Sequence, residues 1–223
     1  MSTRFVELRS NLEKVHERIE LAAKRSERNS KDIKLIVVTK TYPVSDIEIL
    51  YELGVRNFGE NRDQEGSKKA PALPADTIWH FQGQIQSNKL KSIAKWANLI
   101  HSLDEIRHAK TLDALSPGKE VLIQVSLDEL NENRGGVRPE SLQEFLETFI
   151  AETKLSLLGF MAVAPLNQSP NLAFSRLREI LQPYSKYPVI SAGMSNDFEE
   201  AILQGATHLR IGSEILGVRP PLI

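Results

Sequence analysis

The chain has 223 residues, of which 41% are hydrophobic and 26% charged, a net charge of −1 and no cysteine. That length and composition suit one closed barrel or one doubly wound domain with a full core. The charge balance gives no electrostatic footprint for nucleic acid, and the lack of cysteine excludes disulfides and thiolate metal sites, as fits a cytoplasmic location.

The first stretch, MSTRFVELRSNLEKVHERIE, carries charges throughout and does not read as a signal peptide. No apolar run approaches membrane-spanning length. Across 3–29, Phe5, Leu8, Leu12, Val15, Ile19 and Ala22 recur at spacings of three and four, which predicts an amphipathic helix packed on the outside of the domain. Residues 34–40, KLIVVTK, read as the first strand, and their apolar centre (Ile36, Val37, Val38) suits a strand covered on both faces.

The chain then repeats in steps of about twenty residues. Helix 45–53 leads to strand 55–58 and the turn Gly59-Glu60-Asn61; helix 62–69 leads to strand 77–81; helix 86–96 leads to strand 98–101. Helix 104–114 leads to strand 120–125, helix 139–150 to strand 154–160, and helix 171–181 to the final stretch, Ile190 to Gly217. That stretch reads as strand, glycine turn, short helix, strand, glycine turn. Ser195 or Asn196 is expected to cap the short helix, with Glu199 completing a capping box, and Gly205 to end it.

Eight strand and helix units predict a single (β/α)8 TIM barrel of residues 1–223, with residues 1–30 forming an extra N-terminal helix outside it. An open doubly wound sheet is the alternative. In a barrel the loops after strands seven and eight are the usual phosphate site. Here both carry glycine and serine (Gly193, Ser195, Gly212, Ser213), small residues that leave backbone N–H groups open to an anion. Lys40 stands at the end of a buried strand, where partial desolvation favours an uncharged amine that attacks carbonyls. Lys40, Asn61, His80, Gln82, His101, Ser102, Met161, Ser195, Arg210 and Ser213 all fall at or just after C-terminal strand ends, the barrel's catalytic rim. His80 and His101 also read as histidines satisfied within the barrel wall. No metal-ligand cluster, dinucleotide fingerprint or P-loop stands out.

Several longer motifs carry a resemblance. They are VVTKTYP at 37–43, FGENRDQE at 58–65, WHFQGQIQSNK at 79–89, IHSLD at 100–104, QVSLDELNENRGGV at 124–137, GFMAVAP at 159–165, and SAGMSNDFEEAI with HLRIGSEILG toward the end. The chain resembles the pyridoxal phosphate homeostasis protein family, single-domain barrels related to the barrel of alanine racemase. The resemblance implies that Lys40 forms an aldimine with pyridoxal phosphate, that Ser195, Gly212 and Ser213 hold the phosphate, and that Arg210 lies against the pyridine nitrogen. It sets Asn61, Met161 and Met194 near the ring, with His80 and Ser102 lining the pocket.

A guanidinium beside the ring nitrogen disfavours its protonation and weakens the ring as an electron sink. The chain also ends at Ile223 without the second domain that supplies the opposite base in alanine racemase. The implied role is therefore a monomeric cytoplasmic protein that holds the cofactor with little or no turnover and passes it to apo-enzymes. A weak racemase, a lysine aldolase acting on a phosphorylated sugar, and a cofactor-sensing interaction protein are the alternatives. Three departures from the family's pattern are Tyr42 and Arg134, where relatives often carry Lys, and Ser213 in place of the commoner Thr.

Overall fold

The computed structural model describes residues 2–128 and 135–217, so Arg134 and Ile223 lie outside the described residues. Helix α1 (Thr3–Arg25) precedes β1 (Lys34–Val38). Then come α2 (Val44–Glu52), β2 (Asn57–Glu60), α3 (Asp63–Lys69), β3 (Ile78–Phe81), α4 (Leu90–Trp96), β4 (Leu99–Leu103), α5 (Ile106–Leu115) and β5 (Glu120–Gln124). The second half holds α6 (Leu142–Glu152), β6 (Ser156–Met161), α7 (Pro170–Leu181), β7 (Val189–Ser191), α8 (Phe198–Leu203), β8 (His208–Ile211) and α9 (Ser213–Leu216). The strands are parallel and close in sequence order, with β8 returning to β1 through pairs such as Ile36 with Arg210. This is the (β/α)8 barrel, and closure removes the open-sheet alternative.

Alternation along each strand sorts the side chains into two layers. Val37, Phe58, Trp79, Phe160, Leu209 and Ile211 join the apolar layer under the helices. The bore holds a small apolar cluster of Leu99, Leu122 and Met161, and below the rim a set of buried polar groups: His80, His101, Ser191, His208 and Arg210. A barrel bore is commonly filled with branched aliphatic residues; this one is filled in large part by imidazoles and a guanidinium.

The expected outer helix is present. Leu8, Leu12, Val15, Ile19, Ala22 and Ala23 are its buried stripe, and it packs against α8 and α9. Arg18 reaches Glu199 at 2.7 Å and Glu214 at 3.1 Å, and its guanidinium lies 4.5 Å from the Phe198 ring centre. The helix stops at Arg25, short of the predicted residue 29, and Glu27 takes a left-handed φ of 55°.

Strand β2 runs two residues later than the sequence predicts. Gly59 and Glu60 pair with His80 and Phe81 rather than forming a turn. The helices predicted to start at 86 and 139 begin instead with 3-10 turns at Ser87–Lys89 and Pro139–Ser141. Among the described residues no helix is long and apolar enough to cross a membrane.

Candidate functional site

The C-terminal strand ends surround a cavity of about 480 Å³. Lys40, Asn61, Met161, Met194, Ser195, Arg210, Gly212 and Ser213, the eight residues expected to contact a ligand, all line it. Lys40 is half-buried in the turn after β1, which closes through Tyr42 N–H to Thr39 O at 3.0 Å. The next residue, Thr41, has a φ of 72°. A β-branched residue in that left-handed region costs on the order of 1–3 kcal/mol, so its surroundings must hold it there.

The loops after β7 and β8 meet at the cavity wall. Gly193 turns the first with a φ of 91°, and a Cβ there would come within 2.9 Å of Phe198 Cα. The expected cap of α8 is not formed. The N-cap position is Asp197, not Ser195 or Asn196, and its carboxylate accepts the Met194 N–H at 2.5 Å, stabilising the loop rather than the helix. Glu199, expected in a capping box, is drawn away by Arg18. The consequence is that Ser195 is released from capping, and its hydroxyl oxygen accepts from the Ser213 hydroxyl at 3.0 Å. Two hydroxyls from two loops thus converge on one point of the cavity wall.

Arg210 enters from β8. Its Nη1 donates to Ser191 O and Ser191 Oγ, both at 2.7 Å, and its Nη2 to Ala162 O at 2.9 Å. Burial draws its pKa down to about 10, partly offset by Asp197, so it remains a cation at neutral pH.

Behind it runs a chain through the bore. Ser191 Oγ is 2.9 Å from His101 Nδ1, His101 Nε2 is 2.9 Å from His80 Nδ1, and His80 Nε2 is 3.1 Å from Asn57 Oδ1. Arginine only donates, and the Asn57 oxygen only accepts. One set of tautomers therefore satisfies every link. Ser191 donates to His101, His101 donates through Nε2 to His80, and His80 donates through Nε2 to Asn57. Both imidazoles are neutral in that arrangement, and burial lowers the pKa of His80 to about 3 and that of His101 well below its usual value.

His80 is thus a satisfied interior histidine and does not line the cavity, contrary to one expectation. Ser102 does not line it either; its hydroxyl is turned to Gly83 O at 2.5 Å. Both positions lie near strand ends in sequence, but the polar atoms of each are taken up by partners on neighbouring strands and loops. The residue-level roles missed Tyr42 and Gln82, which line the cavity. Gln82 Nε2 is buried there without a hydrogen-bond partner. Its position just after a strand end was the available signal.

The fold also brings together a group that the sequence did not suggest. Ligand atoms of Asp104, Glu105 and His108 lie within 4.8 Å of one another. Asp104 accepts from Gly136 N–H and Glu105 from Arg107, and His108 Nε2 is 3.0 Å from the Ser87 hydroxyl, while His108 Nδ1, 3.8 Å from Glu105, is buried without a hydrogen-bond partner.

Comparison with known proteins places this architecture. The family model for the alanine racemase N-terminal domain matches residues 10–220. A pyridoxal phosphate homeostasis protein from Corynebacterium glutamicum is 39% identical over 218 residues, covering 91% of this chain and 98% of its own. PipY of Synechococcus elongatus, solved with pyridoxal phosphate bound, is 31% identical with a TM-score of 0.76, covering 91% of this chain and all (100%) of its own. Alanine racemase from Corynebacterium glutamicum shares the fold at 15% identity and a TM-score of 0.68, over 95% of this chain and 63% of that one. With a match along nearly its whole length and such identity to full-length relatives, the chain belongs to the pyridoxal phosphate homeostasis protein family, built on the barrel of the alanine racemase N-terminal domain.

Proposed function

We propose that this protein holds pyridoxal phosphate covalently through the Lys40 amine and takes part in its intracellular homeostasis, with little or no turnover. The observation that carries the reading is that Lys40, Arg210 and the joined Ser195 and Ser213 hydroxyls line one cavity. Its volume lies in the range of small-molecule sites. The residues match the cofactor's three handles: an amine for the aldehyde, a cation for the ring nitrogen, and hydroxyls with a glycine turn for the phosphate. The unpartnered Gln82 amide adds a donor on the same wall.

Pyridoxal phosphate supplies an aldehyde, which condenses with a primary amine with loss of water, and an electron-withdrawing ring. The chain's own residues do the rest. Lys40 Nζ is the nucleophile. Ser195, Gly212 and Ser213 bind the phosphate, while Asn61, Met161 and Met194 bound the ring. Arg210, cationic at neutral pH, keeps the ring nitrogen from carrying a proton and so restrains carbanion chemistry. On this reading the protein acts as a cytoplasmic monomer that limits free aldehyde and releases cofactor to apo-enzymes.

The test is optical and chemical. Purified protein should be yellow, and borohydride should fix the label on the peptide carrying Lys40. Lys40→Ala should be folded, colourless and unlabelled; a Lys40→Ala protein that still traps the cofactor would refute the assignment. Incubating the loaded protein with single enantiomers and a chiral readout separates this reading from a racemase, which would generate the opposite hand.

A further inference from the structure

Two lysines lie near the rim of β1 and β2, and only one lines the cavity. Lys40 does so. Lys69, the last residue of α3, is 6% exposed. Its Nζ donates to Thr39 O at 2.8 Å, Glu60 Oε1 at 2.7 Å and Glu65 Oε2 at 2.9 Å. An ammonium has three donors, and these three acceptors use all of them. Glu65 and Lys69 are four apart on α3, so one helix face delivers both.

The same acceptors grip the backbone on either side of Lys40. Thr41 N–H donates to Glu65 Oε2 at 2.6 Å, and Thr39 Oγ1 donates to Glu60 Oε1 at 2.6 Å. The carbonyl before Lys40 and the N–H after it are thus both tied to one buried ionic cluster. Thr41 is held in its left-handed conformation by that attachment. Burial pushes the Glu60 carboxyl up. Desolvation opposes ionisation of Glu65 as well, but hydrogen bonds from Lys69 and Thr41 N–H hold it below its ordinary value.

We propose that Lys69 is a positioning residue for Lys40: with Glu60 and Glu65 it fixes the peptide groups flanking Lys40 and so aims the amine at the carbonyl to be captured. This rests on the reading of Lys40 as the cofactor's amine. The step positioned is addition of Nζ to the aldehyde carbon, after which water leaves and a carbon–nitrogen double bond remains, with no redox change. Lys69 takes no part in that bond; its donors are committed to the turn.

The experiment separates noncovalent binding from capture. Pyridoxamine phosphate lacks the aldehyde, so its affinity for cofactor-free protein reports the phosphate and ring contacts alone. The rate at which pyridoxal phosphate becomes borohydride-fixable on Lys40 reports the amine. Lys69→Met should slow capture by at least about tenfold, as misplacement of a reacting group does, while pyridoxamine phosphate affinity stays within about threefold of the parent. Because Lys69→Met orphans a buried carboxylate, the same pair of measurements is made on Lys69→Met with Glu60→Gln, which removes that charge. An unchanged capture rate, or equal losses in both measurements, overturns the positioning role while leaving Lys40 as the amine. Label fixed on another residue of the parent chain overturns the Lys40 reading itself, and the inference with it.

Discussion

Replacing Arg210 with methionine keeps an unbranched stem in the bore, shortens the side chain, and removes its charge and donors. The structure sets the scale of the result. Three hydrogen bonds vanish, but Ser191 O still accepts from Ala162 N–H at 3.1 Å. The loss therefore falls chiefly on Ala162 O, at about 1–3 kcal/mol for an orphaned buried acceptor. Removing a buried cation returns several kcal/mol of desolvation. The two effects oppose each other, and the net destabilisation should be roughly 0–3 kcal/mol, inside the margin of about 5–15 kcal/mol typical of folded domains.

Binding should suffer more than folding. A hydrogen bond to a charged group contributes about 1.5–3 kcal/mol, so pyridoxamine phosphate should bind roughly ten- to a hundredfold more weakly. The ring nitrogen, no longer facing a guanidinium, should take up its proton at higher pH, and the absorbance titration of bound cofactor should move the same way. Urea unfolding, ligand titration and the spectral titration are measured on one preparation. A folded Arg210→Met protein with parental affinity and an unmoved titration would refute the ring contact.

Acid should destabilise the fold through its bore. His80 and His208 are held at about 3 and about 4, first of all by burial. Their unfolded forms take up protons below about pH 6.5, so the stability they contribute is full above that pH and is lost on acidification, at about 2 kcal/mol each between pH 6.5 and 5. Urea midpoints at the two pH values should show the fall, and His208→Gln should make it shallower; a flat profile would contradict the neutral chain. Gly83→Ala would set a Cβ 1.8 Å from Asn61 O, so the variant should lose about 1–3 kcal/mol or more, together with cofactor affinity, as melting and titration would report. Ser213→Ala, which removes one of the two joined hydroxyls, should weaken phosphate-bearing ligands by about 1 kcal/mol without lowering the melting temperature. Leu8→Ala, at a fully buried position of α1, should cost about 2–5 kcal/mol in a single transition; an early separate melt of α1 would show that it is not integral to the fold.

The barrel and its rim were legible because they are local in sequence. Apolar runs of strand length alternate with helical periods, and polar or small residues follow each strand, so Lys40, Arg210 and the glycine and serine turns near Ser195 and Ser213 declare themselves one strand at a time. The facts that escaped depend on side chains from distant segments competing for one partner. Ser195 reads as a helix cap until Asp197 takes the N-cap position and Ser213 comes within reach. His80 reads both as rim and as a satisfied wall histidine, and only its bonds to His101 and Asn57 on neighbouring strands decide for the second. Glu60 reads as a turn residue until Lys69 and Thr39 surround it. Sequence alone determined that Lys40, Arg210 and the glycine and serine turns stand at the mouth of the barrel. Only the closed tertiary structure decided where their polar atoms point, because a hydrogen bond is settled by three-dimensional proximity and by which competing partner is desolvated with it.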